Sequence, residues 1–230
     1  MSTNSPLAKT LRFVGIILMG LTGGFTLLGG IGTTCVALAP TRYESMKTLA
    51  PFQWLYILFV LTGIALGVLG IRATIMIIKG ADKSYRYALF VLVSGTVMGF
   101  IHMVASRALR GKSMPVDAVV YTTILTLVIF LFFRIPSIWQ IMDFTKGDAA
   151  KSNRSAGGVA AILLGLFALT IQHTMGATHT WNGINYADAF NVMMTLVGMV
   201  CLLSGAALLS GIFDFKPAPE SDSPAAAEPR

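Results

Sequence analysis

Six long runs of apolar residues, separated by short polar connectors, dominate the pattern of hydrophobic and polar positions along this chain. A run of about 20 apolar residues crosses a bilayer as a helix, because the hydrocarbon offers the backbone no other hydrogen-bond partner. The pattern therefore predicts an all-α, polytopic integral membrane protein, built as a bundle of six transmembrane helices. The predicted spans cover residues of about 13–39, 54–78, 87–108, 116–135, 157–178 and 186–213.

Polar segments flank the predicted transmembrane domain, residues 13–214. Residues 1–12 are predicted to form a cytoplasmic N-terminal segment. Residues 215–230 are rich in Pro, Ala, Ser and Glu and lack a hydrophobic face, a composition typical of a disordered tail. The basic start of the first span is like that of a signal peptide, but the apolar run exceeds the roughly 7–15 residues of such signals. An uncleaved first helix is therefore favoured.

Composition agrees with this class of protein. The chain has 230 residues, of which 55% are hydrophobic and 12% are charged, whereas soluble domains carry about 25% charged residues. The net charge of +7 comes mainly from Lys and Arg at the ends of spans, as expected for contacts with lipid headgroups. A nucleic-acid partner would require a clustered basic face on a folded domain, and none is predicted.

The distribution of Lys and Arg predicts the orientation. Of the 17 such residues, 12 fall on the side of the two chain ends, and the remaining five fall on the other side. Those five are Arg42, Lys47, Arg107, Arg110 and Lys112. Because cytoplasmic loops carry the excess of positive charge, both termini are predicted to be cytoplasmic, in a cell (cytoplasmic) membrane.

Small residues four positions apart predict close helix packing. GxxxG pairs occur once in each of the first three spans, at Gly20 and Gly24, Gly63 and Gly67, and Gly95 and Gly99. Such pairs let helix backbones approach each other, which is a main source of helix association in lipid. The contacts could lie within one chain, in a homo-oligomer or with other membrane proteins.

Two histidines occupy matching places in the sequence. His102 and His173 lie late in the third and fifth spans, and Asp117 and Asp188 follow them by fifteen residues each, at the starts of the next spans. Counting about 1.5 Å per residue puts both histidines about 22–24 Å across the bilayer, just below the outer surface. The second and third hairpins of spans therefore resemble each other.

The first hairpin has a weaker likeness to the third. Ile17–Leu21, with Gly20 inside it, parallels Ile162–Leu166, with Gly165 inside it. Together these similarities predict three tandem helical hairpins, of which the first lacks the His and Asp pair.

Several roles are open for these residues. His102 and His173 could hold a haem b between helices, since imidazole is a common axial ligand, or could exchange protons with a bound quinone. With Asp117 and Asp188 they could instead form a divalent metal site. The structural alternative is that each His hydrogen-bonds to a neighbouring helix and that each Asp caps the helix that it begins.

The most polar and aromatic of the predicted outer loops contains four further candidates. His179, Trp181, Asn182 and Asn185 could line a shallow pocket. The alternative is a loop that anchors the chain at the membrane surface, with a turn at Asn182-Gly183.

No motif in the sequence identifies a reaction. Walker A, HExxH, CxxC and GxSxG patterns are absent, and no predicted span carries a central charge of the kind that ion-coupled transporters use. Cys35 and Cys201 are too few for a disulfide framework. The leading hypothesis is a non-enzymatic structural or accessory subunit. The rivals are a small redox subunit that binds haem b or quinone and a small-solute channel or transporter.

Overall fold

The protein is all-helical apart from one short strand pair, as a computed structural model shows for residues 6–42, 44–142, 144, 150–174, 176, 180–181, 183–185, 188 and 190–212. The α-helices are α1 (Pro6–Leu38), α2 (Gln53–Ile78), α3 (Ser84–Arg110), α4 (Val116–Phe132), α5 (Pro136–Trp139), α6 (Ala150–Leu169), α7 (Ile171–Thr174) and α8 (Asn191–Ser210). Two 3₁₀ segments, Pro40–Arg42 and Glu44–Phe52, connect α1 to α2. The antiparallel strands β1 (Thr180–Trp181) and β2 (Ile184–Asn185) lie between α7 and α8.

Five segments of the described residues are long and apolar enough to cross a membrane. They are Pro6–Leu38, Met46–Ile78, Ser84–Arg110, Ser152–Leu169 and Asn191–Ser210. The remaining long helix, α4, is apolar but has 17 residues. The prediction of an all-helical protein with several helices of membrane-spanning length is therefore confirmed. Helix bounds differ by several residues, since α1 already begins at Pro6 and α8 begins only at Asn191.

Helices α1 to α4 form a four-helix body. Helix α1 packs against α2 and α4, and α3 packs against both α2 and α4. Helix α6 packs along α1 and touches α2, and α8 packs along α6. In the described part of the chain, the contact with α6 is the one extensive contact that α8 makes with another helix. We call the end at which α1, α3 and α6 begin the near end, and the opposite end the far end.

An aromatic core closes the four-helix body at the near end. The Tyr85 hydroxyl donates to the backbone carbonyl of Phe130 at 2.5 Å, and Phe133 and Phe144, each 2% exposed, pack beside Phe130. Arg12, predicted to mark the cytoplasmic side, is only 1% exposed. The body is therefore tightly filled at this end.

Glycine pairs set the closest approach of α1 to α2. A Cβ atom at Gly23 would lie 2.8 Å from the carbonyl carbon of Gly70, and a Cβ at Gly67 would lie 2.5 Å from the Cα of Leu27. Seven residues beyond Gly23, Gly30 approaches Gly63 in the same way. A methyl group at Gly23, Gly30 or Gly67 would force these two backbones apart.

The same arrangement recurs between α6 and α8. A Cβ at Gly158 would lie 2.9 Å from the carbonyl oxygen of Gly205, and one at Gly165 would lie 2.8 Å from that of Gly198. All four of these glycines lie 135 residues after the four that cross between α1 and α2, which are Gly23, Gly30, Gly63 and Gly70. The α6–α8 pair is thus the structural equivalent of the α1–α2 pair, with Gly165 matching Gly30 rather than Gly20.

The glycines of the three GxxxG pairs all face a neighbouring helix of the same chain. Gly20 and Gly24 face Ala160 and Leu164 of α6. The α2 pair faces Leu27 and Gly30 of α1, and the α3 pair faces Val120 and Thr123 of α4. In this structure each GxxxG is used in packing within one chain.

We expect Gly67→Ala to destabilise the protein, because the new methyl group would overlap the backbone of Leu27. Overpacking of this kind costs about 1–3 kcal/mol. Gly32→Ala is the matched control, since a Cβ at Gly32 meets no atom within 4 Å. The measurement is SDS-induced unfolding of the purified protein in mild detergent. Equal midpoints for the two variants would contradict the close packing of α1 on α2.

Candidate functional site

His102 lies at the far end of the α2–α3 contact, between aromatic residues. Its ring stacks on Phe59 with centroids 4.3 Å apart and an interplanar angle of 19°, and it meets the Tyr56 ring edge-on at 5.6 Å. One turn further along α3, the Ser106 hydroxyl lies 2.9 Å from the Tyr56 hydroxyl, and both groups are buried. These contacts fix the imidazole against α2.

A partly open cavity of about 70 Å³ lies beside His102 and is lined by residues of all four helices of the body. Its walls are mainly apolar, and glycines on α1, α2 and α3 create the space. The lining residues include Gly29, Gly30, Gly63, Gly95, Gly99, Phe59, Met98, Val119 and Val120, with the hydroxyls of Thr26, Thr33, Thr62 and Thr123. A smaller cavity of about 10 Å³ continues toward the near end and shares Thr26, Leu66, Gly95 and Thr123 with the first.

The threonines make this interior a column of hydrogen-bond acceptors. Thr26, Thr33 and Thr123 each donate to the backbone carbonyl four residues earlier, at 2.7 Å. A hydroxyl that has given its single hydrogen to a carbonyl can only accept a further hydrogen bond. Deeper in the body, the hydroxyls of Thr22 and Thr126 lie 2.7 Å apart, and both residues are buried.

His102 adds a group that can donate. Within the described part of the chain, neither of its ring nitrogens has a hydrogen-bond partner, although the ring is held on two sides by Phe59 and Tyr56. A neutral imidazole has one donor and one acceptor nitrogen. The site therefore combines a free imidazole with acceptor hydroxyls in an apolar enclosure.

Asp117 is held by an ion pair and a hydroxyl rather than directed at a histidine. Its carboxylate lies 3.3 Å from the Arg107 guanidinium and accepts a short hydrogen bond from Ser113. Arg107 also donates to Ser113 and to Tyr121. Asp117 lies in the first turn of α4 but does not cap it, because the N-cap position is Pro115.

His173 and Asp188 lie in a different environment, around α7 and the strand pair. His173 is exposed, and its Nε2 lies 3.5 Å from the amide nitrogen of Gln172. Asn185 connects the segment, because its side chain donates to the Gln172 carbonyl at 3.1 Å and accepts from the Asp188 backbone at 3.3 Å. Asp188 is exposed.

The remaining outer-loop candidates are only partly described. His179 and Asn182 lie outside the described residues, as does the side chain of Trp181. Gly183, between the two strands, has a φ of +77°, which glycine adopts without strain. This backbone is consistent with the predicted turn at Asn182-Gly183.

The structure does not bring the four proposed ligands into one cluster. His102 contacts α2 residues inside the body, whereas His173 is exposed and beside Gln172. The described residues contain no group of three or more His, Cys, Asp or Glu side chains placed to hold a metal ion. The geometry therefore supports a ligand at His102 by itself better than one shared by both histidines.

Tyr56, Phe59 and the threonine column were missed by the sequence reasoning. A signal was present for the threonines, because Thr22, Thr26 and Thr33 of α1 recur at helical spacing on one face, as polar residues lining a shared interior do. The aromatic contacts gave no such signal, since Tyr and Phe are common in apolar spans.

Comparison with known proteins finds no family model, no curated protein and no solved structure that matches this chain. Its function must therefore be inferred from its own residues.

Proposed function

We propose that the chain is a multi-pass membrane protein whose six long helices cross the bilayer as three tandem hairpins, α1–α2, α3–α4 and α6–α8. The support is that the two helices of each pair pack along one another. The 17 residues of α4 span about 26 Å at 1.5 Å per residue, slightly less than the roughly 30 Å of hydrocarbon. The turn at Phe133–Ile135 and α5 then continue to the membrane surface.

In this proposal the near end is cytoplasmic, together with both termini, and the membrane is the cell membrane. The support is the excess of Lys and Arg that the sequence assigns to the side of the two termini, 12 of the 17 in the chain, because positively charged loops are retained in the cytoplasm.

The orientation is tested by labelling single cysteines with a membrane-impermeant maleimide, in a chain whose Cys35 and Cys201 are replaced by Ala. We expect Lys112→Cys, in the far-end connector, to be labelled in intact cells. Lys83→Cys, in the near-end connector, should be labelled only after the cells are permeabilised. The reverse pattern would contradict the orientation.

The role that the geometry supports best is that of a structural or accessory subunit, which enters a membrane assembly through α8. The observation that carries this proposal is the open side of α8. Only 11% of the Asn191–Ser210 span is buried within the chain, against 28% of Met46–Ile78, the span that contains its equivalent α2. Helix α2 is covered on one side by α3, and nothing equivalent to α3 covers α8 in the described residues.

The equivalence of α2 and α8 identifies the side of α8 that corresponds to the α3-facing side of α2. Most of that side is half-buried beside α6, whereas the most exposed large apolar residues of α8 are Val192, Leu196, Val200 and Leu203. The α2 residues that face α3 and the interior of the body are Phe59, Thr62, Leu66, Leu69 and Ala73. Their counterparts, 135 residues later, are Met194, Val197, Cys201, Ser204 and Leu208, which we call the α8 stripe. Its spacing alternates three and four residues, the pattern with which one helix packs along another.

We assign this stripe to a second copy of the chain. Two copies in one membrane share an orientation, so a twofold axis perpendicular to the bilayer brings the same stripe of both α8 helices together. Such isologous dimers are the most common oligomers, and the stripes of both copies would be covered at once. In parallel packing of this kind each residue of the stripe lies near itself in the partner, which places Cys201 near the axis.

Oxidative cross-linking in native membranes tests this dimer. With Cys35 replaced by Ala, we expect copper-phenanthroline to join two chains through Cys201. Two chains that carry both Ser204→Cys and Cys201→Ala should also be cross-linked, because position 204 lies on the same stripe. Disulfides form only when the two Cα atoms come within about 7 Å of each other.

Leu203→Cys in the same Cys201→Ala chain is the matched control. Leu203 is 64% exposed on the opposite side of α8, and its counterpart Val68 is 53% exposed on α2. If Leu203→Cys is cross-linked as well as Ser204→Cys, or if neither stripe position forms dimers, the assignment of the α8 stripe to a second copy is wrong.

A further inference from the structure

The four-helix body contains a mainly apolar cavity, lined in part by hydroxyl groups, that the proposed dimer does not use. Hydroxyls that can accept hydrogen bonds line the cavity beside His102 at several depths. Thr33 lies near the far end, and Thr26 and Thr123 lie further toward the near end. The rim residues Thr33 and Pro115 are partly exposed at the far end.

The interior is closed toward the near end. Met19 lines the smaller cavity, and Ile16, Phe130 and Phe133 lie closer to the near end; all four are between 0 and 2% exposed. The column of hydroxyls therefore ends blindly inside the body and does not form a passage across the membrane. This geometry is that of a binding pocket rather than a channel.

Charge excludes ions as occupants. Arg107 and Arg110, at the far end of α3, and Lys112 just beyond it place positive charge on this side of the protein, with Asp117 already paired to Arg107. A cation would be repelled by this net positive charge, and the described residues that line the pocket include no carboxylate to compensate for its dehydration. An anion would meet hydroxyls whose hydrogens are already donated to carbonyls.

Size and hydrogen bonding then define the ligand. A cavity of about 70 Å³ has room for several water molecules, since about 10–15 Å³ of the space open to a water molecule's centre is enough for one. The walls accept hydrogen bonds, and the imidazole of His102 can donate one. The occupant must therefore be small, neutral and able to donate a hydrogen bond as well as accept one.

We propose that this pocket is a hydrated binding site, entered from the far end, for small neutral hydroxyl compounds such as water and short alcohols. His102 donates to the bound hydroxyl oxygen, and the hydroxyl hydrogen is given to a threonine oxygen. The ring of Phe59 holds the imidazole in place for this contact.

Methyl methanethiolsulfonate, a small neutral thiol reagent, tests entry into the pocket. The protein is embedded in nanodiscs with Cys35 and Cys201 replaced by Ala, and labelling is followed by mass spectrometry. We expect Thr123→Cys to react about tenfold faster than Leu125→Cys, because only a thiol in contact with water forms the reactive thiolate. Leu125 lies two residues along α4 and is 52% exposed on its outer side.

Thr33→Cys and Ile31→Cys give the same comparison on α1, and they carry the test if Thr123→Cys does not fold. Thr33 lines the pocket, and Ile31 is 39% exposed on the outside of the helix. Equal rates in the folded pair overturn the proposal, because they indicate a dry interior. The comparison holds for either orientation of the protein, since the reagent crosses membranes.

Ethanol tests the class of ligand. In excess it should slow the labelling of Thr123→Cys but leave that of Leu125→Cys unchanged, whereas sucrose, which is too large for the pocket, should protect neither. His102→Phe keeps an aromatic ring against Phe59 but removes the donor, so it should weaken protection by ethanol. Protection that is absent, or that is equal at both cysteines, overturns the assignment of hydroxyl compounds.

Discussion

Helices in lipid gain little by exchanging hydrocarbon for one another's apolar side chains, so they associate where their surfaces approach most closely. In this protein that approach occurs where glycine meets backbone, as at Gly23 with Gly70 and at Gly158 with Gly205. The two crossings fix the register of two helix pairs that lie 135 residues apart in the sequence. The GxxxG glycines of α1, Gly20 and Gly24, then attach the second pair to the body through α6.

Glycine also creates the candidate site. Where Gly63 and Gly95 do not meet a backbone as tightly, the absent side chains leave space between the helices, and this space is the cavity beside His102. Threonines can line it at little cost, because each satisfies its own hydrogen through the carbonyl of the preceding turn. Glycine thus explains both the close helix contacts and the cavity. The helices touch where a backbone lies close to the glycine, and a space remains where no backbone does.

Hydrophobic patterning was sufficient to place the long helices, because a bilayer allows few alternatives for a long apolar run. It could not show which helix faces which. The closest glycine pairs are spaced seven residues apart, not four, so Gly30 was overlooked and Gly165 was matched to Gly20. Likewise, counting residues along helices predicted similar depths for His102 and His173, but depth carries no information about lateral position. The structure places one in the body and the other on the exposed α7.

A double-mutant cycle between Gly24 and Leu164 tests most directly whether glycine packing attaches the α6–α8 pair to the body. A Cβ at Gly24 would lie 2.8 Å from the Cδ1 atom of Leu164. Gly24→Ala should therefore lower the free energy of unfolding, and Leu164→Ala should restore part of it in that background. We expect a coupling of about 1–2 kcal/mol between the two sites. Effects that add to within about 0.5 kcal/mol would contradict the contact and, with it, the arrangement of α6 and α8 beside the four-helix body.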